Sequence, residues 1–305
     1  MSKKLILIAG PTASGKSNLA ILLAKKINGE IINADSMQVY KEFSTLSSRP
    51  SKIDLKKIKH HLYGFISVKK HFSVGHWLKL TKEQIKKCTK EKKIPILVGG
   101  TGLYFNAVTK GISKIPSIKS STRLKLRNLH KKIGQKKFYD KLTRIDPLAR
   151  KKILLSDTQR TIRAYEVIIG TGKSLYEWSA TTRSDFLDYE IKNFYLDIPR
   201  EFLLKNIYAR TEAMFQDNCV NEVQKFLKLD IASSFSANKM IGVEEITNYL
   251  KKTSTLEKAK VLINIKTRQY AKRQNTWSRG HMKNWTKLYS KNLTILSKKI
   301  LKEIS

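Results

Sequence analysis

Hydrophobic and polar positions alternate between two periods along the first hundred residues. Lys3 to Ala9 is a short apolar run that enters a glycine turn, which predicts a buried strand. From Ser17 to Ile27 the apolar positions Leu19, Leu22, Leu23 and Ile27 recur at helical spacing, and the pattern stops near Gly29. Glu30 to Asn33 predicts a second short strand, Ser73 to Lys92 an amphipathic helix, Ile94 to Val98 a third strand, and Thr101 to Val108 a further helix. Strands alternating with helices imply a parallel sheet.

The pattern changes after Gly111. Ser113 to Thr122 holds Pro116 and several serines and reads as a linker. From Arg123 to about Tyr176 the periodicity is helical throughout. A strand pattern returns at Asn193 to Ile198, and Pro199 opens one long helix to about Leu227. Glu257 to Trp277 predicts another long helix. The expected fold class is α/β: a P-loop NTPase-like parallel-sheet core, residues 1–112 and 190–305, interrupted by an all-helical insertion at 113–189. No internal repeat or heptad pattern is present.

Composition narrows the class. The 305 residues are 41% hydrophobic and 28% charged, within the range of chains that fold into a core. The two cysteines, Cys88 and Cys219, are too few for a disulfide framework or a CxxC metal site. The apolar run at the amino terminus is short and leads directly into the glycine turn, so no targeting segment is expected. No stretch is long enough to span a bilayer. A cytoplasmic protein is expected. Lys+Arg 61 against Asp+Glu 24 gives a net charge of +37, which favours polyanions such as nucleic acid. Lysines are spread along the whole chain, however, as an AT-biased genome would also produce.

The strongest chemical signal is Gly10-x-x-x-x-Gly15-Lys16-Ser17, preceded by a predicted strand and followed by a predicted helix. Glycines let backbone amides wrap a phosphate chain, and the helix amino terminus adds partial positive charge. Gly10, Pro11, Thr12, Ala13, Ser14, Gly15, Lys16 and Ser17 are therefore candidate diphosphate ligands. Lys16 supplies a full charge, and the Ser17 hydroxyl suits Mg²⁺. A second Gly-Lys-Ser at Gly172 to Ser174 lacks both the first glycine and a preceding strand. Nucleotide kinases and ATPases carry a metal-holding acid after a later strand. Here that strand ends Val98-Gly99-Gly100-Thr101, without an acid. The acid stands instead at Asp35, just past the second strand. In a doubly wound sheet both positions open on the carboxyl edge near the phosphate loop. Asp35 is a candidate general base or an N-cap.

These residues resemble a family. Gly10 to Ser17, Asp35-Ser-Met-Gln-Val-Tyr40 and Val98-Gly-Gly-Thr-Gly-Leu-Tyr104 are similar to segments of the bacterial tRNA dimethylallyltransferases. Asp157-Thr-Gln-Arg-Thr-Ile-Arg-Ala-Tyr-Glu166, Ile207-Tyr-Ala-Arg-Thr-Glu-Ala-Met-Phe215 and Arg268-Gln-Tyr-Ala-Lys-Arg-Gln274 with Trp277 extend the resemblance, in order, over nearly the whole chain. It implies transfer of a dimethylallyl group from dimethylallyl diphosphate to the exocyclic amine of the adenosine 3′ of the anticodon, in tRNAs reading U-initial codons. Mg²⁺ is the implied cofactor, and tRNA and dimethylallyl diphosphate are the implied partners of a monomer. Lys16, the loop amides and Arg210 would stabilise the departing diphosphate. Asp35 would accept a proton from, or hydrogen-bond to, the amine. Thr12 and Thr101 would position the leaving oxygen and the target nucleotide.

The resemblance also implies RNA contacts. Ser36, Met37 and Gln38 follow Asp35 and would read adjacent base edges, glutamine being suited to adenine. Gln159, Arg160, Thr161, Ile162 and Arg163 resemble the segment that contacts the anticodon loop, with Arg123 nearby. Arg268, Lys272 and Arg273 are expected on one side of a helix, against phosphate, and Trp277 in the core. Glu42-Phe-Ser-Thr-Leu-Ser-Ser-Arg-Pro50 departs from the family's Asp-Ile-Gly-Thr-Ala-Lys-Pro pattern. So do His61-Leu-Tyr-Gly-Phe-Ile-Ser67, which lacks an acid common there, and Ile241-Gly-Val-Glu244, which carries one where a base is frequent. His60, His61, His71 and His76 have no Cys or carboxylate partner at metal-ligand spacing, so no zinc site is expected. Two other functions fit parts of the chain. A kinase would need only the phosphate loop and would turn over ATP without tRNA. A non-catalytic RNA-binding protein would need only the charge.

Overall fold

A computed structural model describes residues 3–233 and 235–304. Six strands are present among them: β1 (Lys3–Ala9), β2 (Gly29–Asn33), β3 (His60–His61), β4 (Ile94–Gly99), β5 (Tyr189–Leu196) and β6 (Thr286–Leu288). They form one sheet in the order β3-β2-β4-β1-β5-β6, and every neighbouring pair is parallel. The helices are α1 (Lys16–Lys26), α2 (Lys52–Lys57), α3 (Val74–Lys90), α4 (Gly102–Lys110), α5 (Ser120–Ile145), α6 (Pro147–Lys152), α7 (Thr158–Thr171), α8 (Leu175–Ala180), α9 (Arg200–Asp217), α10 (Cys219–Leu227), α11 (Val243–Leu250), α12 (Leu256–His281) and α13 (Leu293–Ile304). The fold is α/β, as the alternating periods imply.

The central strands are buried on both faces, which is why they read as unbroken apolar runs. One face carries Ile6, Ile8, Ile31, Ile96, Val98, Phe194 and Leu196 and packs on Leu19 and Leu23 of α1 and on Leu296, Ile300 and Ile304 of α13. Alternate residues Leu5, Leu7, Ile32 and Leu97 point the other way and are fully buried. On α3, Trp77 donates its Nε1–H to the carbonyl of Asn33 at 2.8 Å and stacks on Tyr104, ring centroids 4.0 Å apart. A second apolar core joins Val39, Phe43 and Leu46 to Met214, Val223, Phe226, Met240, Ile246 and Ile263 from α9 to α12.

Several elements differ from the sequence pattern. The helix expected from Pro199 to Leu227 is two helices, broken at Asn218, whose φ of −156° and ψ of 16° lie outside the helical region. The break turns α10 so that Val223, Phe226 and the acid Glu222 face inward. Strands β3 and β6 escape a periodicity reading because two or three residues carry no period. Helix α13, with Leu296, Ile300 and Ile304 buried, is a further element beyond those expected.

The chain divides into two compact units, Met1–Val108 with Phe186–Ser305, and Thr109–Asp185. The second unit is helical. Its core holds Leu126, Phe138, Leu142, Ala149, Ile153, Ala164 and Tyr165. Helix α5 is interrupted at Gly134, whose φ of 76° no β-carbon residue adopts cheaply. The second Gly-Lys-Ser is ordinary helix punctuation. Gly172, at φ 70°, closes α7, and the Ser174 hydroxyl accepts from the Tyr176 amide at the start of α8.

Candidate active site

The phosphate loop follows β1 and opens α1. Ala13 and Gly15 have φ of 62° and 83°, and Gly15 is the N-cap residue of α1. This left-handed pair turns the loop amides inward, towards where an anion would sit. The Ser14 amide closes the turn on the Pro11 carbonyl at 3.3 Å, while the buried Ser14 hydroxyl has no partner. A buried hydroxyl without a partner is costly unless a ligand supplies one.

Asp35 comes from the end of β2. Its amide donates to Asn33 Oδ1, and its own Oδ1 accepts from the Met37 amide at 2.9 Å. It therefore caps the following turn and also lines the cavity described below. Thr101 ties this turn to the end of β4: its Oγ1 accepts from the Ser36 amide at 2.9 Å, and its amide donates to the Ala34 carbonyl. The glycines beside it are explained by close approach. A Cβ on Gly99 would overlap the Ala34 backbone, on Gly100 the Gln274 amide, and on Gly102 the Trp277 ring.

A cavity of about 370 Å³ joins these parts. Thr12 to Ser17, Asp35, Met37, Gln38 and Arg210 form its polar side, and Leu46, Met214, Met240, Ile241 and Ile263 form an apolar wall. From α9, Arg210 donates to Thr12 Oγ1 at 2.6 Å, and Asn206 donates to the Ala13 carbonyl at 3.0 Å. From α12, Gln274 accepts from the Thr12 amide at 2.8 Å and donates to the Gly100 carbonyl at 2.9 Å. A second hollow lies where Ser36, Thr101, Gly102, Tyr270, Arg273, Gln274 and Trp277 meet. Thus Lys16, Asp35 and Arg210, far apart in sequence, share one cavity.

The electrostatics follow from enclosure. The Lys16 ammonium is pushed down to about 8, chiefly by burial; the Asp35 charge opposes the shift and neighbouring Arg210 adds to it. Burial likewise lowers Arg210, again opposed by Asp35. The Tyr63, Tyr104 and Tyr270 hydroxyls are raised by burial and then by the Asp35 charge. Two cations thus face one carboxylate in a poorly hydrated space, which favours a strongly anionic ligand.

The other sequence candidates are distributed differently. Gln38 spends its amide protons on the Ser47 and Ser48 carbonyls, at 3.0 and 2.8 Å. Bidentate reading of adenine, which needs a donor and an acceptor, is unavailable to it in this arrangement. Arg268 and Lys272 line a separate groove between α9 and α12 with Arg200 and Arg279, whereas Arg273 lines the central cavity. The expectation that all three share one side is corrected: residue 273 is rotated by about 140° from residue 268 on an α-helix. Trp277 is half-buried and stacks on His281.

In the helical unit, Gln159 and Arg160 are exposed. Thr161 is buried, its hydroxyl donating to the Asp157 carbonyl, and Ile162 packs on the unit's core. Arg163 lies 3.7 Å from the buried carboxylate of Glu166, which Arg127 also approaches at 3.1 Å. Arg123 is near enough to lower Arg163 further, although burial is the larger cause.

One expectation about histidine needs revising. His61 has a carboxylate and a thiol beside it that spacing does not reveal: its Nε2 lies 2.6 Å from Glu30 Oε2, and Cys88 Sγ donates to the same oxygen at 3.5 Å. The three donor atoms lie within 4.8 Å of one another. Lys59 pairs with the other Glu30 oxygen at 3.4 Å, so cationic and hydrogen-bonding partners already satisfy this carboxylate.

Residues that sequence reasoning passed over include Gln274, Tyr270, Asn206, Glu222 and the Met240–Ile241 wall. Gln274 and Tyr270 lie in a segment already notable for its arginines, but one polar residue on a helix face carries no signal of its own. A model of the IPP transferase family matches residues 38–281. The tRNA dimethylallyltransferase of Pelagibacter ubique is 53% identical over 285 residues, 93% of this chain and 91% of that protein. That of Rickettsia felis is 43% identical over 291 residues, 95% and 94% of the two chains. Among solved structures, the tRNA isopentenylpyrophosphate transferase of Bacillus halodurans superposes with a TM-score of 0.69 at 31% identity, covering 98% of this chain and 96% of that one. A eukaryotic dimethylallyltransferase acting on tRNA gives 0.81 at 28% identity, over 96% and 75% of the chains. The joining of a phosphate loop to an acid at the end of β2, and likeness along almost the entire length, lead to one conclusion: this chain belongs to the IPP transferase family.

Proposed function

We propose that this protein modifies tRNA by moving a dimethylallyl group from dimethylallyl diphosphate to N6 of the adenosine immediately 3′ of the anticodon, in tRNAs reading U-initial codons. The observation that carries this reading is the single cavity in which Lys16, Arg210 and the phosphate loop face Asp35. The first three suit a leaving diphosphate, the last an attacking amine. The names of the relatives support the same reading.

In the reaction the N6 lone pair forms a bond to the allylic carbon, the carbon–oxygen bond to diphosphate breaks, and a proton leaves N6. Asp35, held by the Met37 amide, is placed to accept that proton or to polarise the N–H bond. Lys16, the loop amides and Arg210 stabilise charge as it grows on the departing oxygen. Arg210 and Thr12 act as a pair, since their hydrogen bond aims both at the loop. The apolar wall of Leu46, Met214, Met240, Ile241 and Ile263 keeps water from the electrophilic carbon.

The donor set fits Mg²⁺: the Ser17 hydroxyl lies at the loop, and the Ser14 hydroxyl is buried in the same loop with no partner among the described residues. Mg²⁺ prefers oxygen ligands and keeps several waters. Bound beside Ser17, it would neutralise diphosphate charge.

For RNA, the target base must leave its stack to reach Asp35. Ser36, Met37, Gln38 and Thr101 are the candidates to meet it, and Gln159, Arg160 and Arg123 to meet the anticodon loop. Arg268, Lys272 and Arg273 are candidates for phosphate contacts on two different faces. No helix among the described residues is long and apolar enough to cross a membrane. We read the protein as a cytoplasmic monomer. A kinase is disfavoured by the absence of an acid at the end of β4.

The test is a transfer assay with Mg²⁺, labelled dimethylallyl diphosphate and an unmodified tRNA reading a U-initial codon. Controls are a tRNA without adenosine beside the anticodon, and ATP with adenosine monophosphate. Label in the first tRNA alone supports the proposal. ATP turnover without transfer overturns it in favour of a kinase.

A further inference from the structure

The segment 43–49, where the chain departs from its family's pattern, is a compact turn with two polar sides. The Ser48 amide donates to the Thr45 carbonyl and the Arg49 amide to the Ser44 carbonyl, both at 3.0 Å. Its leading amides all point to one carboxylate. Glu222 Oε1 accepts from the Ser44 amide at 2.8 Å, the Ser44 hydroxyl at 2.9 Å and the Thr45 amide at 2.8 Å, and Oε2 accepts from the Leu46 amide at 2.9 Å. Successive amides around an anion form a nest, an arrangement that specifies a negative charge rather than a neutral acceptor. Glu222 is only 9% exposed and reaches the turn because α10 is broken away from α9.

The trailing side of the turn presents carbonyls instead. Those of Ser47 and Ser48 take both protons of the Gln38 amide. Two carbonyl acceptors decide which end of that amide is nitrogen, because the oxygen would be repelled there. With both protons taken, Gln38 has only an acceptor, Oε1, left to offer a ligand of the cavity that it lines. The turn thus converts the position of one carboxylate into the polarity of a side chain that lines the cavity with Asp35.

We infer that Glu222 is a positioning residue that holds Gln38 as a hydrogen-bond acceptor, so that the cavity selects a base whose six-position carries N–H rather than a carbonyl. This rests on the proposed function, in which an adenine enters the cavity. Adenine offers an exocyclic amine at that position, whereas hypoxanthine offers oxygen there and carries its N–H one atom away, at N1. An acceptor placed for the six-position discriminates against an analogue that cannot donate from that position, because it then faces another acceptor.

The experiment measures binding, so that it stands apart from transfer. Anticodon stem-loops carrying adenosine or inosine at the target position are titrated against the wild type, Glu222→Gln, Gln38→Ala and the double variant. Preference for adenosine should fall roughly three- to tenfold in either single variant, the worth of an ordinary hydrogen bond. The double variant should lose no more than Gln38→Ala alone. In Glu222→Gln the KM for dimethylallyl diphosphate should stay unchanged, since the phosphate loop is untouched and Glu222 lies outside the cavity lining. Glu222→Asp should recover part of the preference by restoring the charge. If Glu222→Gln does not fold, Ser44→Ala, which removes one of the four hydrogen bonds, should still lower the preference. An unchanged preference in these variants, or additive losses in the double variant, overturns the inference. If preference follows Gln38 and Glu222 but no dimethylallyl is transferred, the proposed function fails while the positioning role stands.

Discussion

Arg210 Nη1 lies 2.6 Å from Thr12 Oγ1, so a helix 198 positions further along the chain reaches into the phosphate loop. The contact gives the loop a second cation beside Lys16 and aims the Thr12 hydroxyl.

Arg210→Ala should lower kcat/KM for dimethylallyl diphosphate by roughly ten- to a hundredfold, the range of a hydrogen bond to a charged group. Arg210→Lys should recover only part, because an ammonium lacks the planar fork. Steady-state kinetics at saturating tRNA reads both. Normal donor kinetics in Arg210→Ala would remove the residue from diphosphate binding.

Asp35→Ala should cut single-turnover transfer by about 10²–10⁴ while tRNA binding persists. Some loosening of the Met37 turn is expected as well, because Asp35 Oδ1 caps it. Asp35→Asn separates the two effects: it keeps an acceptor for the Met37 amide and removes the base. An unchanged rate in Asp35→Asn would refute the proton-accepting role.

Lys16 is pushed down to about 8 from its ordinary 10.5. In the free enzyme it loses its charge as pH rises through about 8, so kcat/KM for the donor should fall on that alkaline limb. Between about 8 and 10.5 the unfolded chain binds more protons at this position than the folded one. The stability contribution of Lys16 therefore rises with pH across that window and is least favourable below about 8. Lys16→Met should abolish transfer and raise the melting temperature at pH 7, as active-site charges commonly cost stability. A lowered melting temperature would contradict the burial argument.

Arg160 and Arg163 should separate experimentally. Arg160→Glu should weaken tRNA binding and flatten its salt dependence, with little change in stability. Arg163→Glu sets a second carboxylate beside Glu166, which is nearly buried, and should destabilise the protein by about 1–3 kcal/mol. Thermal melts alongside binding isotherms at several salt concentrations distinguish them. Equal salt slopes for wild type and Arg160→Glu would take Arg160 out of the RNA contact.

Gly99→Ala should disrupt the fold around the end of β4, because the added carbon meets the Ala34 backbone, which cannot step aside. A loss of about 2 kcal/mol or more is expected, read by denaturant unfolding. In Gly100→Ala the obstacle is a side chain, Gln274, so the expected damage falls on the Thr12 contact and the donor KM. Wild-type stability in Gly99→Ala would show that the two loops can separate.

The parallel sheet and the phosphate loop were legible in the sequence because both are local. A strand buried on two faces must be an apolar run, and a loop that wraps phosphate turns through positive φ, which glycine adopts most readily, as at Gly15. Asp35 was legible for a topological reason: a residue just past a parallel strand opens on the carboxyl edge. The long-range arrangements were not. The break at Asn218, the approach of Gln274 to Thr12 and Gly100, and the pairing of Glu30 with His61 and Cys88 depend on how distant segments pack. Nothing in the spacing of Gln38 states which end of its amide faces the cavity. That polarity comes from two carbonyls of a turn whose amides are gathered by Glu222. Sequence alone determined the layered fold and the phosphate-binding chemistry, because periodicity and glycine placement act within a few residues. Only the tertiary structure decided which charges face each other, because that depends on distances across the fold between residues as remote in the chain as Lys16 and Arg210.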